Sequence, residues 1–300
     1  MRPRARRSAL PPPVQPPTRP LVVAHRGASY SVAEHTLAAY VEAIESGADG
    51  LECDVRMTRD GHLVCVHDRT VNRTSDGRGV VSDLDLEKLR ALDFASWHPH
   101  LTGSADDLIN DSPYLEGVVP DLHEDGQVLT LEQLLELVHD AGRSVRLLIE
   151  TKHPTRYGGL VEKELVDLLT RFGWAGKPGP PASIKQPADM TSPIVVMSFA
   201  PTAIRRVKLL APDVPTVLLF ERLLPMIREG ILPAGVPIAG PGVRVIQNDP
   251  DFVERAHARG HYVYVWTADE PDEVELVRAA GADAIITNRP REVIAQLDAV

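Results

Sequence analysis

Short apolar runs, most of them followed by a helical pattern, recur from residue 21 to the end of the chain, and this alternation restricts the fold more than any other feature. The runs are Leu21–His25, Gly50–Val55, Leu63–His67, Val145–Glu150, Ile194–Phe199, Thr216–Phe220, Val243–Gln247, Tyr262–Trp266 and Ala284–Thr287. Most are rich in Val and Ile, as strands buried on both faces require. Helical periodicity covers Glu34–Ser46, Leu131–Ala141, Leu160–Phe172, Thr202–Leu210, Phe252–Arg259 and Pro271–Ala280. Repeated strand-then-helix implies a parallel sheet with right-handed crossovers. Polar residues close the strands all along the chain and not at one crossover point. That favours a closed (β/α)8 TIM barrel over a doubly wound sheet.

Nine runs compete for eight barrel positions, so one is a side strand or a misreading. The gap between Val55 and Leu63 is too short for a covering helix, which makes that corner irregular. Thr216–Phe220 is the other doubtful strand. Residues 69–130, charged and glycine-rich with a short helix at Leu86–Leu92, read as an insertion after the third strand, over the barrel mouth. Residues 173–193 are rich in Pro and Gly and read as a mobile loop.

The first 20 residues hold five of the 32 basic residues, none of the 42 acids, and seven prolines. They lack the apolar core of a signal peptide. The chain thus divides into a disordered basic tail over 1–20 and one barrel domain over 21–300. No apolar run is long enough to span a membrane, so stable membrane insertion is not expected, and a cytoplasmic location follows. The acidic body, within a net charge of -10, argues against nucleic acid as a partner. The two cysteines, Cys53 and Cys65, are expected as separate buried thiols: Cys65 shares the parity of His67 and faces inward, while Cys53 faces the helices.

The chemistry sits at strand ends. Glu52 and Asp54, two apart on a strand, point the same way, and Glu150 closes another buried run. Three converging carboxylates repel unless a cation lies between them, and their hard oxygens suit Mg²⁺ or Ca²⁺. Taken singly, each acid can instead cap a helix or pair with an arginine. His25 and His67 end the first and third runs, where two imidazoles can act as base and acid on opposite sides of a phosphorus atom. Arg26 offers a planar fork for phosphate oxygens. Lys152, with the parity of Glu150, can neutralise developing phosphorane charge or bridge the acids. Trp266 and Phe199 can wall a glycerol carbon face or pack in the core. The other loop and helix histidines, His153 among them, have no evident partner.

In order along the chain, His25-Arg26-Gly27-Ala28, Glu34-His35-Thr36, Glu52-Cys53-Asp54-Val55, Val66-His67-Asp68, Ile149-Glu150-Thr151-Lys152, Ser198-Phe199, Val265-Trp266-Thr267 and Ile285-Ile286-Thr287-Asn288-Arg289-Pro290 resemble the glycerophosphodiester phosphodiesterase family, over about residues 21–295. The resemblance implies a TIM barrel and hydrolysis of a small-molecule glycerophosphodiester to glycerol 3-phosphate and an alcohol. It implies a Mg²⁺ or Ca²⁺ site at Glu52, Asp54 and Glu150, an acid/base pair in His25 and His67, and phosphate held by Arg26 and Lys152. A lysophospholipase D-type reaction on a lipid phosphodiester and a non-catalytic phosphate-ester-binding barrel are the alternatives. The chain departs from the family at Ala33-Glu34-His35-Thr36, where Pro-Glu-Asn-Thr is usual, and at Asn288, where Asp is usual. Neither departure is expected to touch the three carboxylates or the two histidines, though both bear on substrate choice.

Overall fold

A computed structural model of the protein describes residues 18–98, 126–176 and 186–299. In chain order its elements are β1 (Leu21–His25), α1 (Leu37–Glu45), β2 (Gly50–Met57), β3 (Leu63–Cys65), a 3₁₀ turn (Val81–Asp83), α2 (Leu86–Arg90), α3 (Leu131–His139), β4 (Arg146–Thr151), α4 (Leu160–Arg171), β5 (Ile194–Ser198), α5 (Pro201–Leu210), β6 (Thr216–Phe220), α6 (Pro225–Arg228), β7 (Ile238–Pro241), α7 (Val243–Asn248), α8 (Phe252–His257), β8 (Tyr262–Val265), α9 (Pro271–Ala279), β9 (Ala284–Thr287) and α10 (Pro290–Asp298). Eight strands pair in parallel in the order β1-β9-β8-β7-β6-β5-β4-β2, and β1 pairs with β2 to close the ring. This is the expected TIM barrel.

The ninth strand is β3. It runs antiparallel along the far end of β2, with Val55 opposite Cys65 and Met57 opposite Leu63. Thr216–Phe220, doubtful in sequence, is a full barrel strand between β5 and β7.

Two expectations fail. Val243–Gln247 is not a strand but most of α7. The sixth barrel strand, β7, is instead Ile238-Ala239-Gly240-Pro241, whose Gly and Pro disguise it. Gly240 is needed there, since a Cβ would come within 2.7 Å of Leu219 and Val217. The cysteine parity argument also fails. Residues directly opposite on antiparallel strands share a face, so Cys65 lies on the side of Val55 and Cys53. Both thiols are buried and free in the layer between strands and helices. Burial and the adjacent Cys65 thiol push the Cys53 thiol up.

Alternation along the strands sorts the core into two shells. Val23, Leu148, Val195, Met197, Val217, Leu219, Ile238, Tyr264 and Ile286 fill the barrel. Leu51, Cys53, Val55, Leu147 and Ile149 face outward against Leu131, Leu134, Leu135 and Leu165 of α3 and α4. Burying each leucine contributes about 1.5–3 kcal/mol, so the outward stripes hold the helices in place. The inward set leaves His25, Glu52, Asp54 and Glu150 pointing into the C-terminal mouth.

Residues 1–17 of the expected tail lie outside the described residues; Arg19 pairs with Asp49 and Asp298. Of the expected insertion, residues 99–125 lie outside them as well. Its described part carries a small core of its own, with Val71, Val81, Leu86, Leu89, Phe94 and Val128 packed on Val64 and Val66. The middle of the expected 173–193 loop, residues 177–185, is also outside. The stretch after it is tied down: Met190 accepts a hydrogen bond from Arg146 at 2.6 Å. No helix among the described residues is long and apolar enough to cross a membrane.

Candidate active site

Strand register assembles the site. His25 stands beside Glu52 across β1 and β2, and Asp54 stands beside Glu150 across β2 and β4. Oxygens of Glu52, Asp54 and Glu150 lie within 4.8 Å of one another, and all three side chains are buried. Two unit charges at such a separation repel by about 3–4 kcal/mol at an effective dielectric of about 20. Without a cation the cluster must therefore keep protons or recruit counter-charges, and it does both.

Burial and the neighbouring Asp54 push Glu52 well above the usual carboxylate range. The same two causes, burial first, raise Glu150 to about 8, against the pull of Lys152. Asp54 goes the other way. Burial alone would raise it, but Lys152, His67, Arg26 and a bond from His35 hold it well below the usual range. Two acids are thus pushed toward the protonated form and the third toward the ionised form. A divalent cation would relieve the repulsion among them, and hard carboxylate oxygens are what Mg²⁺ or Ca²⁺ take. The residues fit a divalent metal centre.

Lys152, just past β4, sits 3.0 Å from Glu150 Oε1 and 3.2 Å from Asp54 Oδ1. Arg26 is almost fully buried; its Nε lies 3.1 Å from Asp54 Oδ2 and its Nη1 donates to Glu34 at 3.3 Å. The two cations expected at phosphate are thus also counter-charges of the acids. Arg26 adopts φ +58° and the following Gly27 φ +85°. A Cβ on Gly27 would meet the Ala39 backbone at 2.7 Å, so only glycine lets the chain turn here and bring Arg26 down onto β2. His35, at φ +62°, is a second strained position.

The histidines differ in their holders. His25 Nδ1 is 2.8 Å from Asn288 Oδ1, and Nε2 faces Glu52 Oε2 at 3.9 Å. His67 Nδ1 is 2.8 Å from Asp68 Oδ1. His67 lies beyond β3, on irregular backbone, and not at the end of a barrel strand as its sequence pattern suggests. Phe199 and Trp266, past β5 and β8, meet edge to face at 5.3 Å between ring centroids. Trp266 packs against the inner barrel residues and donates Nε1–H to Gly240 O, while Phe199 is 42% exposed. Trp266 therefore takes the core-packing alternative, and Phe199 belongs to the open rim.

Both departures from the family pattern touch the central residues, contrary to expectation. His35 Nε2 reaches Asp54 Oδ2 at 3.0 Å, and its Nδ1 is 2.8 Å from the Tyr40 hydroxyl. Burial holds His35 below the ordinary histidine range, and because a carboxylate only accepts, Nε2 is the donor to Asp54. Asn288 contacts His25 directly. Glu34, Tyr40, Asp68, Arg73, Asp269 and Asn288 all hold the site and none was singled out from sequence for that task. Helical periodicity even assigned Glu34 and His35 to a helix. In fact α1 begins at Leu37, capped by the Thr36 side chain accepting from Ala39 N–H, which leaves Glu34 and His35 in the loop over the acids. His153, which shows no partner in sequence, pairs with the buried Glu162 at 2.6 Å.

Comparison with known proteins gives one consistent result. The model of the glycerophosphoryl diester phosphodiesterase family matches residues 25–292. The chain is 44% identical over 279 residues to a Mycobacterium tuberculosis protein named "Probable glycerophosphodiester phosphodiesterase 1", covering 93% of each chain. It is 30% identical over 275 residues to a Caldanaerobacter subterraneus glycerophosphodiester phosphodiesterase, covering 91% of this chain and 96% of that one. Among solved structures, an Oleispira antarctica phosphodiesterase in complex with the product sn-glycerol-3-phosphate superposes with a TM-score of 0.73 at 21% identity, over 93% of this chain and 97% of that one. A Parabacteroides distasonis glycerophosphodiester phosphodiesterase superposes at 0.70 with 23% identity, over 94% and 98%.

Proposed function

This chain belongs to the glycerophosphoryl diester phosphodiesterase family, and from that membership we propose that it hydrolyses glycerophosphodiesters to glycerol 3-phosphate and an alcohol, using a divalent cation at Glu52, Asp54 and Glu150 and a proton-transfer pair in His25 and His67. The observation that carries the reading is the cluster of three buried carboxylates whose oxygens lie within 4.8 Å of one another, with burial and neighbouring charge pushing Glu52 and Glu150 upward.

When bound, Mg²⁺ or Ca²⁺ supplies positive charge that polarises the phosphate and stabilises the phosphorane. The remaining work falls to the chain. Lys152 and Arg26 bring positive charge to the phosphate oxygens from a water-poor pocket, where such charge counts most. One histidine accepts a proton from the attacking oxygen, that of water or that of the glycerol 2-hydroxyl by way of a cyclic phosphate that water then opens, and the other delivers a proton to the departing alcohol. Phe199 and Trp266 offer an apolar edge to the carbon face of glycerol. The partner is a small molecule. The test is a coupled assay for glycerol 3-phosphate with choline, ethanolamine, glycerol and inositol head groups, before and after chelation. Release from at least one head group, abolished by chelator, is the expected result; no release from any overturns the reading.

One observation favours a second reading, lysophospholipase D-type hydrolysis of a lipid diester. Phe199, Leu224 and Met226, on the segments after β5 and β6, are 42%, 62% and 66% exposed. A lysophospholipid in the same assay separates the two, because only a lipid-directed enzyme turns it over faster than the soluble diesters. A barrel that binds phosphate esters without turnover would release nothing from either.

A further inference from the structure

We infer that Arg73 is the positioning residue through which the segment after β3 holds His67 in its working orientation. The inference rests on the role given to His67 above.

His67 and Asp68 follow β3, which ends at Cys65, so no strand ladder fixes them. Their side chains are 21% and 25% exposed, unlike the buried carboxylates. Something else must hold the imidazole still. Asp68 Oδ1 lies 2.8 Å from His67 Nδ1. A carboxylate only accepts, so Nδ1 carries the proton and Nε2 is the atom that serves the reaction.

Asp68 is itself held by Arg73. Arg73 Nε donates to Asp68 Oδ2 at 2.9 Å and Nη2 to Oδ1 at 3.3 Å. The other edge of the same guanidinium grips Glu34, with Nη1 to Oε2 at 2.8 Å and Nη2 to Oε1 at 2.7 Å. Burial would raise Asp68, but the His67 bond and Arg73 hold it well below the usual carboxylate range, so it is ionised. Glu34 in turn accepts from Arg26 at 3.3 Å, and Arg26 lies 3.1 Å from Asp54. A continuous path of ion pairs therefore runs from His67 through Arg73 to Asp54.

An arginine that merely neutralised buried Glu34 would not need its second edge on Asp68. Here the planar fork is divided between two carboxylates from different segments, 39 and 5 residues away in sequence. A lysine can satisfy one of them but not both. The Trp97 ring, in the segment after β3, covers the guanidinium at 5.7 Å from ring centroid to Cζ.

The test measures kcat, KM and thermal midpoint on a glycerophosphodiester for Arg73→Met, Asp68→Asn, their double variant, Arg73→Lys and His67→Ala. Losing an orienting partner costs about 10–100-fold in activity. Arg73→Met and Asp68→Asn are each expected to lose that much in kcat, with KM within about twofold of wild type. The double variant is expected to be no slower than the slower single one, because both act through His67. Arg73→Lys is expected to recover the thermal midpoint but not kcat. Multiplied losses in the double variant, recovery of kcat by lysine, or a wild-type kcat in Arg73→Met overturns the inference. His67→Ala separates the two levels: if it is inert while Arg73→Met is unimpaired, Arg73 alone is misassigned. If His67→Ala turns over at the wild-type rate, the histidine reading falls and Arg73 with it.

Discussion

Asn288 Oδ1 lies 2.8 Å from His25 Nδ1, and the orientation of both side chains is settled by a third residue. Asp269 Oδ2 is 2.6 Å from Asn288 Nδ2. A carboxylate only accepts, so the amide nitrogen must face Asp269 and the amide oxygen must face His25. His25 then donates from Nδ1, which leaves Nε2 as the ring atom facing the carboxylate cluster. Ser29 Oγ, 2.8 Å from the same amide oxygen, completes the arrangement.

From that arrangement, Asn288→Ala is expected to lower kcat about 10–100-fold with little change in KM, as loss of an orienting partner does. Asn288→Asp keeps an acceptor for His25 but places a carboxylate against Asp269. It is expected to retain more activity than Asn288→Ala while melting at a lower temperature. Steady-state kinetics and thermal melts of the two variants check the pair of outcomes. Equal kcat in Asn288→Ala and wild type would show that His25 needs no holder.

The proposed metal centre makes a separate demand. Exhaustive chelation is expected to abolish turnover, and Mg²⁺, Mn²⁺ or Ca²⁺ to restore it. Glu52→Gln removes one charge from a hard-oxygen site and should weaken cation affinity by about tenfold or more. Full activity in protein shown by elemental analysis to be metal-free would end the metal reading.

The pH dependence of stability follows from Glu150, raised to about 8 against an ordinary 4.5. A carboxyl group raised on folding stabilises the metal-free protein below its unfolded value, and that contribution is lost as pH climbs through the folded value. Metal-free protein should therefore lose thermal midpoint between about pH 5 and 8. A bound cation takes the place of the proton, so loaded protein should lose less. The increase in midpoint on adding Mg²⁺ is expected to grow from pH 5 to pH 8, and calorimetry in buffers of different ionisation enthalpy should register proton release on binding. An increase that shrinks with rising pH contradicts the proton-for-cation exchange.

The parts of this molecule legible in sequence are those that depend on short-range periodicity. Glu52 and Asp54 share a face because they are two apart, and the barrel register sets them beside His25 and Glu150. Periodicity misled where local composition disguised the backbone: Val243-Arg244-Val245-Ile246-Gln247 alternates like a strand but forms a helix, while Gly240 and Pro241 hid a real strand. It misled again at Cys65, because the partner strand was unknown and an antiparallel pairing decided the face. Glu34, Asp68 and Asn288 stand in the motifs that carry the resemblance, but their task as holders of the site was not legible. Asn288 meets His25 across 263 residues and Arg73 meets Glu34 across 39. Such pairs exist only once the ring of strands has closed, and nothing in either segment alone announces them.

The last prediction concerns how His25 and His67 divide the proton work. Their partners differ in charge: an amide oxygen from Asn288 for one, the ionised Asp68 for the other. Two groups so differently held are suited to different tasks, one giving a proton and one taking it. The leaving group tells them apart. A choline alkoxide departs poorly unless it is protonated, whereas nitrophenolate departs without help. Replacing the acid should therefore damage choline esters far more than nitrophenyl esters, and replacing the base should damage both alike. General acid or base catalysis contributes about 10²–10⁴-fold, so the contrast is well within measurement. The experiment is kcat/KM for His25→Ala and His67→Ala on both ester classes. One variant is expected to show the leaving-group contrast and the other to lose activity evenly. If either variant turns over both classes at near wild-type rates, that histidine is structural and the two-histidine mechanism is wrong.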